Sequence, residues 1–252
     1  MEEKEIILGL DVSTATIGVC VLLNDNSEDG KILELTHVAP KVKSKITGIE
    51  SLFLKKRIFE EEFLKKWEKA GITKVVIEEP LLSSNNSITC STLLRFNGMI
   101  SDSIYEILGI VPQYISSYEA RKYAFPELMS IRKYDKKGNK YPNEKIIKSI
   151  ENGKLVLFGS YAWDADKKSI IQTKVAEKYP QIEWLYNSNG ELKKENFDAC
   201  DAYVATLGFI NKEKHGVLEP KVEDIVKEGD KIKFNIKIWD KKIGKTVFLE
   251  EK

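Results

Sequence analysis

A chain of 252 residues with 42% hydrophobic and 10% aromatic residues can bury a full core, which argues against a disordered protein. Its 40 basic and 39 acidic residues leave a formal net charge of +1, so overall charge selects no class of partner. Three cysteines without CxxC spacing (Cys20, Cys90, Cys200) and two histidines (His37, His215) argue against a disulfide framework and against a zinc site. The acidic start Met1-Glu2-Glu3-Lys4-Glu5 is unlike a signal peptide, and no apolar run is long enough to span a bilayer. The expectation is a soluble cytoplasmic protein with no membrane partner.

Along the chain, Ile6 to Asp11, Thr16 to Leu23 and Lys31 to Val38 are short apolar runs separated by turn residues, the pattern of an antiparallel meander. From about Ile46 to Ala70, Leu52, Ile58, Phe59, Phe63 and Trp67 recur at helical spacing, and Gly71 sits where that helix should stop. Lys74-Val75-Val76-Ile77-Glu78 is a β-branched run of the kind found in a buried central strand. An amphipathic helix from about Thr89 to Leu108 and a strand from Ile110 to Ile115 follow. Ser116 and Glu119 then form a capping box that opens another helix. The order predicts an α/β protein with a mixed sheet flanked by helices.

Beyond Pro126 the pattern weakens. Residues 131–148 hold seven bases against two acids and carry the loop markers Gly138 and Pro142. A strand over Lys154 to Gly159, a helix over Lys167 to Tyr179 and an apolar helix over Asn196 to Ile210 are expected. Ile232, Phe234, Ile236 and Ile238 then alternate with polar residues, predicting a β-hairpin with one lysine-bearing face. The expected organisation is a main domain over 1–212, with an insertion at about 127–166, and a C-terminal extension over 213–252.

The chemistry-bearing residues are acidic. Asp11 and Glu78 each end an apolar strand, and Asp198 and Asp201 are three apart on one helix face. Buried carboxylates repel unless a cation neutralises them, and hard divalent ions prefer oxygen ligands. Convergence of the four predicts two Mg²⁺ ions, with Mn²⁺ as a possible substitute, and hydrolysis of a phosphodiester by metal-activated water. Glu79, beside Glu78, should point to the opposite face.

The segment Ile7-Leu8-Gly9-Leu10-Asp11-Val12-Ser13 with Gly18 resembles the first motif of RuvC-type Holliday junction resolvases, members of the ribonuclease-H-like superfamily. Val76-Ile77-Glu78 resembles their second motif, and Asp198-Ala199-Cys200-Asp201-Ala202 their closing D-A-x-D-A helix. Lys168-Ser169 matches the place where the family keeps a basic residue near the scissile phosphate. The resemblance implies a ribonuclease-H-like fold and a homodimeric, Mg²⁺-dependent endonuclease of DNA recombination and repair. Such an enzyme nicks four-way DNA junctions symmetrically. Leu81 departs from the aromatic residue that the family often has three places after the strand glutamate.

For DNA contacts the candidates are Arg121, Lys122, Arg132, Lys133, Lys136, Lys137, Lys140, Lys167, Lys168 and Lys174. Tyr134 and Tyr141, interleaved with the loop lysines, could stack on unpaired bases. The helix stripe Leu93, Phe96, Ile100 and Ile104 either packs on the sheet or forms a dimer interface. The alternatives within the fold are a flap or RNA/DNA-hybrid nuclease. Outside it stands a small actin-like-fold ATP-dependent kinase, which would need a glycine-rich phosphate loop that Gly98, Gly109 and Gly159 do not supply.

Overall fold

The computed structural model describes residues 4–25, 27, 29–80, 86–135, 137–153, 158–162 and 165–249. The chain divides into two compact units, one of residues 1–121 with 168–210, the other of residues 122–167 with 211–252.

In the first unit, β1 (Glu5–Val12), β2 (Ile17–Asn24) and β3 (Lys31–Val38) form an antiparallel meander, as the turn signals predict. β4 (Ile72–Glu78) and β5 (Gln113–Ile115) add on parallel to β1, giving the order β3-β2-β1-β4-β5. Parallel neighbours need crossovers. These are α1 (Gly48–Phe59), a π-helical turn at Glu60–Leu64 and α2 (Lys65–Trp67) before β4, then α3 (Ser87–Leu108) before β5. The helix expected over Ile46 to Ala70 thus contains a π-helical turn, and Gly71 ends it at φ +77°. Asn86 caps α3 by accepting from the Ile88 and Thr89 amides. Helices α4 (Ser117–Ala124), α6 (Lys167–Lys178) and α7 (Phe197–His215) complete the elements on which this unit draws. The result is an α/β unit, a five-stranded mixed sheet flanked by helices, as the element order predicts.

Strand alternation assigns the two faces. Leu8, Leu10, Val12, Val19, Val75 and Ile77 point into a core shared with Phe59, Phe63, Phe96, Ile100 and Ile104. The α3 stripe is therefore mostly spent on the sheet, and it is not the outward surface that a dimer would need. The intervening residues Gly9, Asp11, Gly18, Val76 and Glu78 face the other way. There α7 lies so close that a Cβ on Gly9 would sit 1.7 Å from Thr206 Oγ1, and one on Gly18 would sit 1.9 Å from the Asp198 carbonyl oxygen.

The second unit contains a sheet ordered β10-β9-β8, made of β8 (Lys221–Glu228), β9 (Lys231–Ile238) and β10 (Lys241–Phe248). It also holds the two-stranded pair β6 (Ser130–Ile131) and β7 (Phe158–Ser160), and α5 (Asn143–Glu151). Ile232, Phe234, Ile236 and Ile238 alternate inward against Ile146, Ile150, Phe158 and Val247, so the expected hairpin is correct. It gains a third strand, β8, which sequence patterning missed because five of its eight residues in succession, from Asp224 to Glu228, are exposed. Residues 143–151, expected within a basic loop, are helical because Ile146 and Ile150 recur at i, i+4 and are buried. Of the strand expected over Lys154 to Gly159, residues 154–157 lie outside the described residues.

The close approach at Gly18 gives a stability prediction. Gly18→Ala must push α7 off the sheet and should destabilise by about 2 kcal/mol or more. Gly98→Ala, in a helix interior with nothing within 4 Å, should stabilise by ~0.5 kcal/mol. Denaturant titration of both variants checks this, and an unchanged Gly18→Ala midpoint would refute the contact.

Candidate active site

The site is assembled by register. Leu10 pairs with Ile77 across the parallel strands β1 and β4, so the next residues, Asp11 and Glu78, leave the sheet side by side. Both are at the carboxyl ends of parallel strands, where open α/β sheets place their ligands. Gly18 is the partner of Asp11 in β2 and touches the first turn of α7. That contact carries Asp198 and Asp201 onto the same face. Glu79 is exposed, and its amide donates to the Ile115 carbonyl at 2.8 Å, in agreement with its expected outward direction.

Electrostatics show how tightly these groups are coupled. Burial pushes the Asp11 carboxyl up to about 7, with the charges of Asp201 and Asp198 adding to the effect and those of Lys168 and Arg121 opposing it. Burial likewise pushes Glu78 up to about 8, assisted by Asp11 and Asp201 and opposed by Arg121 and Lys168. Asp201 is only 3% exposed and is the best compensated. Lys168 Nζ lies 3.0 Å from its Oδ2, and Arg121 Nη2 lies 3.7 Å from its Oδ1. Burial disfavours the Lys168 ammonium, but Asp201, Asp11 and Asp198 outweigh it and hold that pKa above its ordinary value. Asp198 is held differently: the Thr16 hydroxyl donates to its Oδ2.

Among the described residues, no three carboxylate, thiol or imidazole groups stand close enough to hold a metal ion as they are. Asp201 is turned to its cations and Asp198 to Thr16, so the four acids share a field rather than a cage. The donor set still fits a hard divalent cation in kind, being all-oxygen, with burial and neighbouring carboxylates raising Asp11 and Glu78 for want of positive charge.

Of the basic candidates, Arg121 and Lys168 join this cluster. Lys174 lies on α6, while Lys122, Arg132, Lys133, Lys137, Lys140 and Lys167 belong to the second unit. Lys136 and Leu81 fall outside the described residues. Tyr141 packs against the second unit's core and carries the Lys145 ammonium 4.0 Å above its ring, so this face is not free for a base.

Sequence reading missed two residues, Thr16 and Asn97, and gave Arg121 only a place on DNA, whereas it faces Asp201. In sequence Thr16 reads only as the start of a strand. Its turn is rigid, because Ser13 Oγ donates to the Thr16 carbonyl at 2.8 Å and Lys55 Nζ donates to the Thr14 carbonyl at 2.5 Å. Asn97, 2% exposed on α3, donates to the Val12 carbonyl at 3.4 Å and leaves its own carbonyl oxygen unpartnered.

No protein-family model matches the sequence, and no curated protein matches it. Among solved structures, the chain is similar to RuvC of Thermus thermophilus in complex with Holliday junction substrate. That match has 8% identity and a TM-score of 0.48, and covers 84% of this chain and 96% of that one. A structure of Thermus thermophilus RuvC matches at 12% identity and TM-score 0.47, with the same coverage. The Aquifex aeolicus member of the Ppx/GppA family matches at 8% identity and TM-score 0.37, covering 83% of this chain and 90% of that one. At TM-scores below 0.5 these likenesses identify neither a family nor an activity.

The raised carboxyl pKa values have a stability consequence with a definite sign. A carboxyl that holds its proton more tightly when folded stabilises at acid pH, and that contribution is lost as pH rises through the folded value. In chelator, Asp11→Asn should therefore have a Tm at least ~3 °C above wild type at pH 8 and a clearly smaller advantage at pH 5. Mg²⁺ should raise the wild-type Tm at pH 8 more than that of the variant. An Asp11→Asn protein destabilised equally at both pH values would show that the cluster is not strained by charge.

Proposed function

We propose that this protein is a metal-dependent endonuclease that cleaves branched DNA, with the four-way junction as its preferred substrate. One observation carries the reading: Asp11, Glu78, Asp198 and Asp201, from distant parts of the chain, share one partly buried field at the carboxyl ends of β1 and β4. A structural role does not account for this, since buried like charges destabilise a fold and two apolar residues would serve better.

The residues that would hold Mg²⁺ are these four, through carboxylate oxygens. When bound, divalent ions supply an activated water and neutralise charge on a phosphodiester. The chain's own cations have a complementary task. Lys168 has its ammonium on Asp201 while its side chain is 47% exposed, so it can turn from the carboxylate to a phosphate oxygen. Arg121, 18% exposed, is better placed to orient Asp201 than to leave it. Thr16 fixes Asp198 Oδ2 and leaves the other oxygen for a ligand.

A kinase of the actin-like fold is disfavoured by the glycines. Gly98 lies inside α3, Gly109 is its left-handed C-cap and Gly159 lies in β7, so none of the three forms a phosphate-cradling loop at a helix start. Symmetric cutting of a four-way junction needs two active sites, and we propose a two-fold dimer for that reason. No helix among the described residues is long and apolar enough to cross a membrane.

A nicking assay on a four-way junction, a flap, a linear duplex and an RNA/DNA hybrid, with and without Mg²⁺, tests the reading. Junction nicking should require Mg²⁺ and fall at least ~100-fold in Asp11→Asn and Asp201→Asn, with junction binding in chelator largely retained. Equal cutting by wild type and these variants would eliminate the assignment. Cutting of the flap or hybrid alone would move the substrate within the same chemistry.

A further inference from the structure

The second unit contains a surface that the acidic site does not explain. Register places Lys221 opposite Lys237, and Lys237 opposite Lys242, so three lysines stand in one row across β8, β9 and β10. They lie on the face opposite the buried Ile236 and Ile238. Like charges directly opposite one another destabilise a sheet. Lys242 is compensated by Glu223 at 3.1 Å and Asp224 at 3.2 Å. Among the described residues, Lys221 and Lys237 make no ion pair.

Both lysines line a cavity of about 390 Å³, whose wall also includes Val217, Glu219, Trp239 and Glu223, the last of these paired with Lys242. Trp239 is an unusual residue. Ile238 pairs with Lys241, so Trp239 and Asp240 form a two-residue turn, and Trp239 has φ +53°. A bulky side chain at positive φ is an outlier that persists only where its surroundings over-determine it, and such residues gather at ligand sites. Here the surroundings are His215, stacked on the indole at 4.3 Å, and Tyr123 at 6.3 Å. Among the described residues the indole Nε1–H is buried without an acceptor, so the ring rather than its N–H is what Trp239 presents to the cavity.

The cavity wall thus lacks two complements. Two lysines in register need an anion, and the Glu219 carboxylate, which makes no ion pair among the described residues, needs a donor. We infer that this cavity binds one unpaired nucleotide of a nucleic-acid strand. Its phosphate lies between Lys221 and Lys237, its base lies against Trp239, and an exocyclic amino group of that base meets Glu219. Ligand cavities run from roughly 300 to 1,000 Å³. One nucleotide fits near the lower end of that range, and a duplex does not. Thymine and uracil lack the amino group, so adenine, cytosine and guanine are preferred. The inference leans on the nuclease reading only in choosing a strand over a free nucleotide.

The test uses the full chain, ¹⁵N-labelled, in chelator, so that no cleavage is involved. The indole resonance lost in Trp239→Phe belongs to Trp239. If that variant fails to fold, His215→Ala identifies the same resonance by removing the stacked ring. Titration with (dA)₆ should shift this resonance, and (dT)₆ should bind at least ~5-fold more weakly. Lys221→Ala/Lys237→Ala, altered only on the exposed face, should weaken (dA)₆ binding ~10-fold and reduce the salt slope by about 0.7 for the one phosphate released. A stationary Trp239 resonance while (dA)₆ binds elsewhere, or unchanged affinity in the lysine variant, would overturn the inference. Inorganic phosphate binding as tightly as dAMP would reduce the cavity to an anion site and overturn base recognition. Binding of dAMP as tightly as (dA)₆ would overturn the strand in favour of the free nucleotide. The Asp11→Asn protein should behave as wild type throughout, so a failed nuclease reading leaves this result standing.

Discussion

The contact on which the acidic site depends is helix α7 lying directly on the backbones of β1 and β2. Gly9 and Gly18 permit it, since any side chain at either position would collide with Thr206, Ala202 or Asp198. Backbone proximity of this kind is rigid, because it has no flexible side chain to absorb a shift. It fixes how near Asp198 and Asp201 come to Asp11 and Glu78, and so sets the electrostatic strain of the cluster. The helix commits to this position with a heavily apolar surface: Ala199, Ala202, Tyr203, Val204 and Ala205 are all nearly or fully buried. Hydrophobic burial and carboxylate repulsion are thus set against each other along one helix, with burial spread over several turns and repulsion confined to the first.

The two faces of the sheet divide the labour. One holds the large apolar core, and at its edge Lys56 ties α1 to α3 through Asp102 at 3.0 Å, with Glu60 at 3.5 Å. The other face is apolar along most of α7 but polar where the strands end. Rigid support on one side lets the opposite side tolerate crowded charge, because relaxation would require breaking well-packed contacts. The short Ser13–Thr16 turn, held by its own hydrogen bonds and by Lys55, extends that rigidity to Asp198.

Much of the fold was legible because sheet faces and helix stripes are periodic. Alternation in β1 and β4 put Asp11 and Glu78 on one face, and the three-residue spacing put Asp198 and Asp201 on one side of α7. Thr16 and Asn97 were not legible as site residues, and Arg121 was legible as a DNA contact but not as the neighbour of Asp201. Their roles arise from which elements become neighbours, and that is decided by glycines and packing far away in sequence. Strand β8 was missed for a different reason: an exposed edge strand with charges on both sides carries no period-2 signal. The α3 stripe shows the converse, since periodicity identified an apolar face but not whether the sheet or a second chain covers it.

In the second unit the same period-2 logic fixes a charged surface. Burying Ile232, Phe234, Ile236 and Ile238 determines the direction of every residue in β9, and a slip of one residue would bury Lys233 and Lys237 instead. The register is therefore set by the core, and the lysine row on the outer face is its consequence. The sheet cannot relieve the Lys221–Lys237 opposition by sliding, nor can the hairpin shorten, because Ile238 and Lys241 already bracket a two-residue turn. Trp239 takes up the remaining conformational cost at positive φ, held by the His215 stack. A well-determined apolar face thus forces an unfavourable polar one, and the unfavourable face is where a ligand of opposite charge gains most by binding.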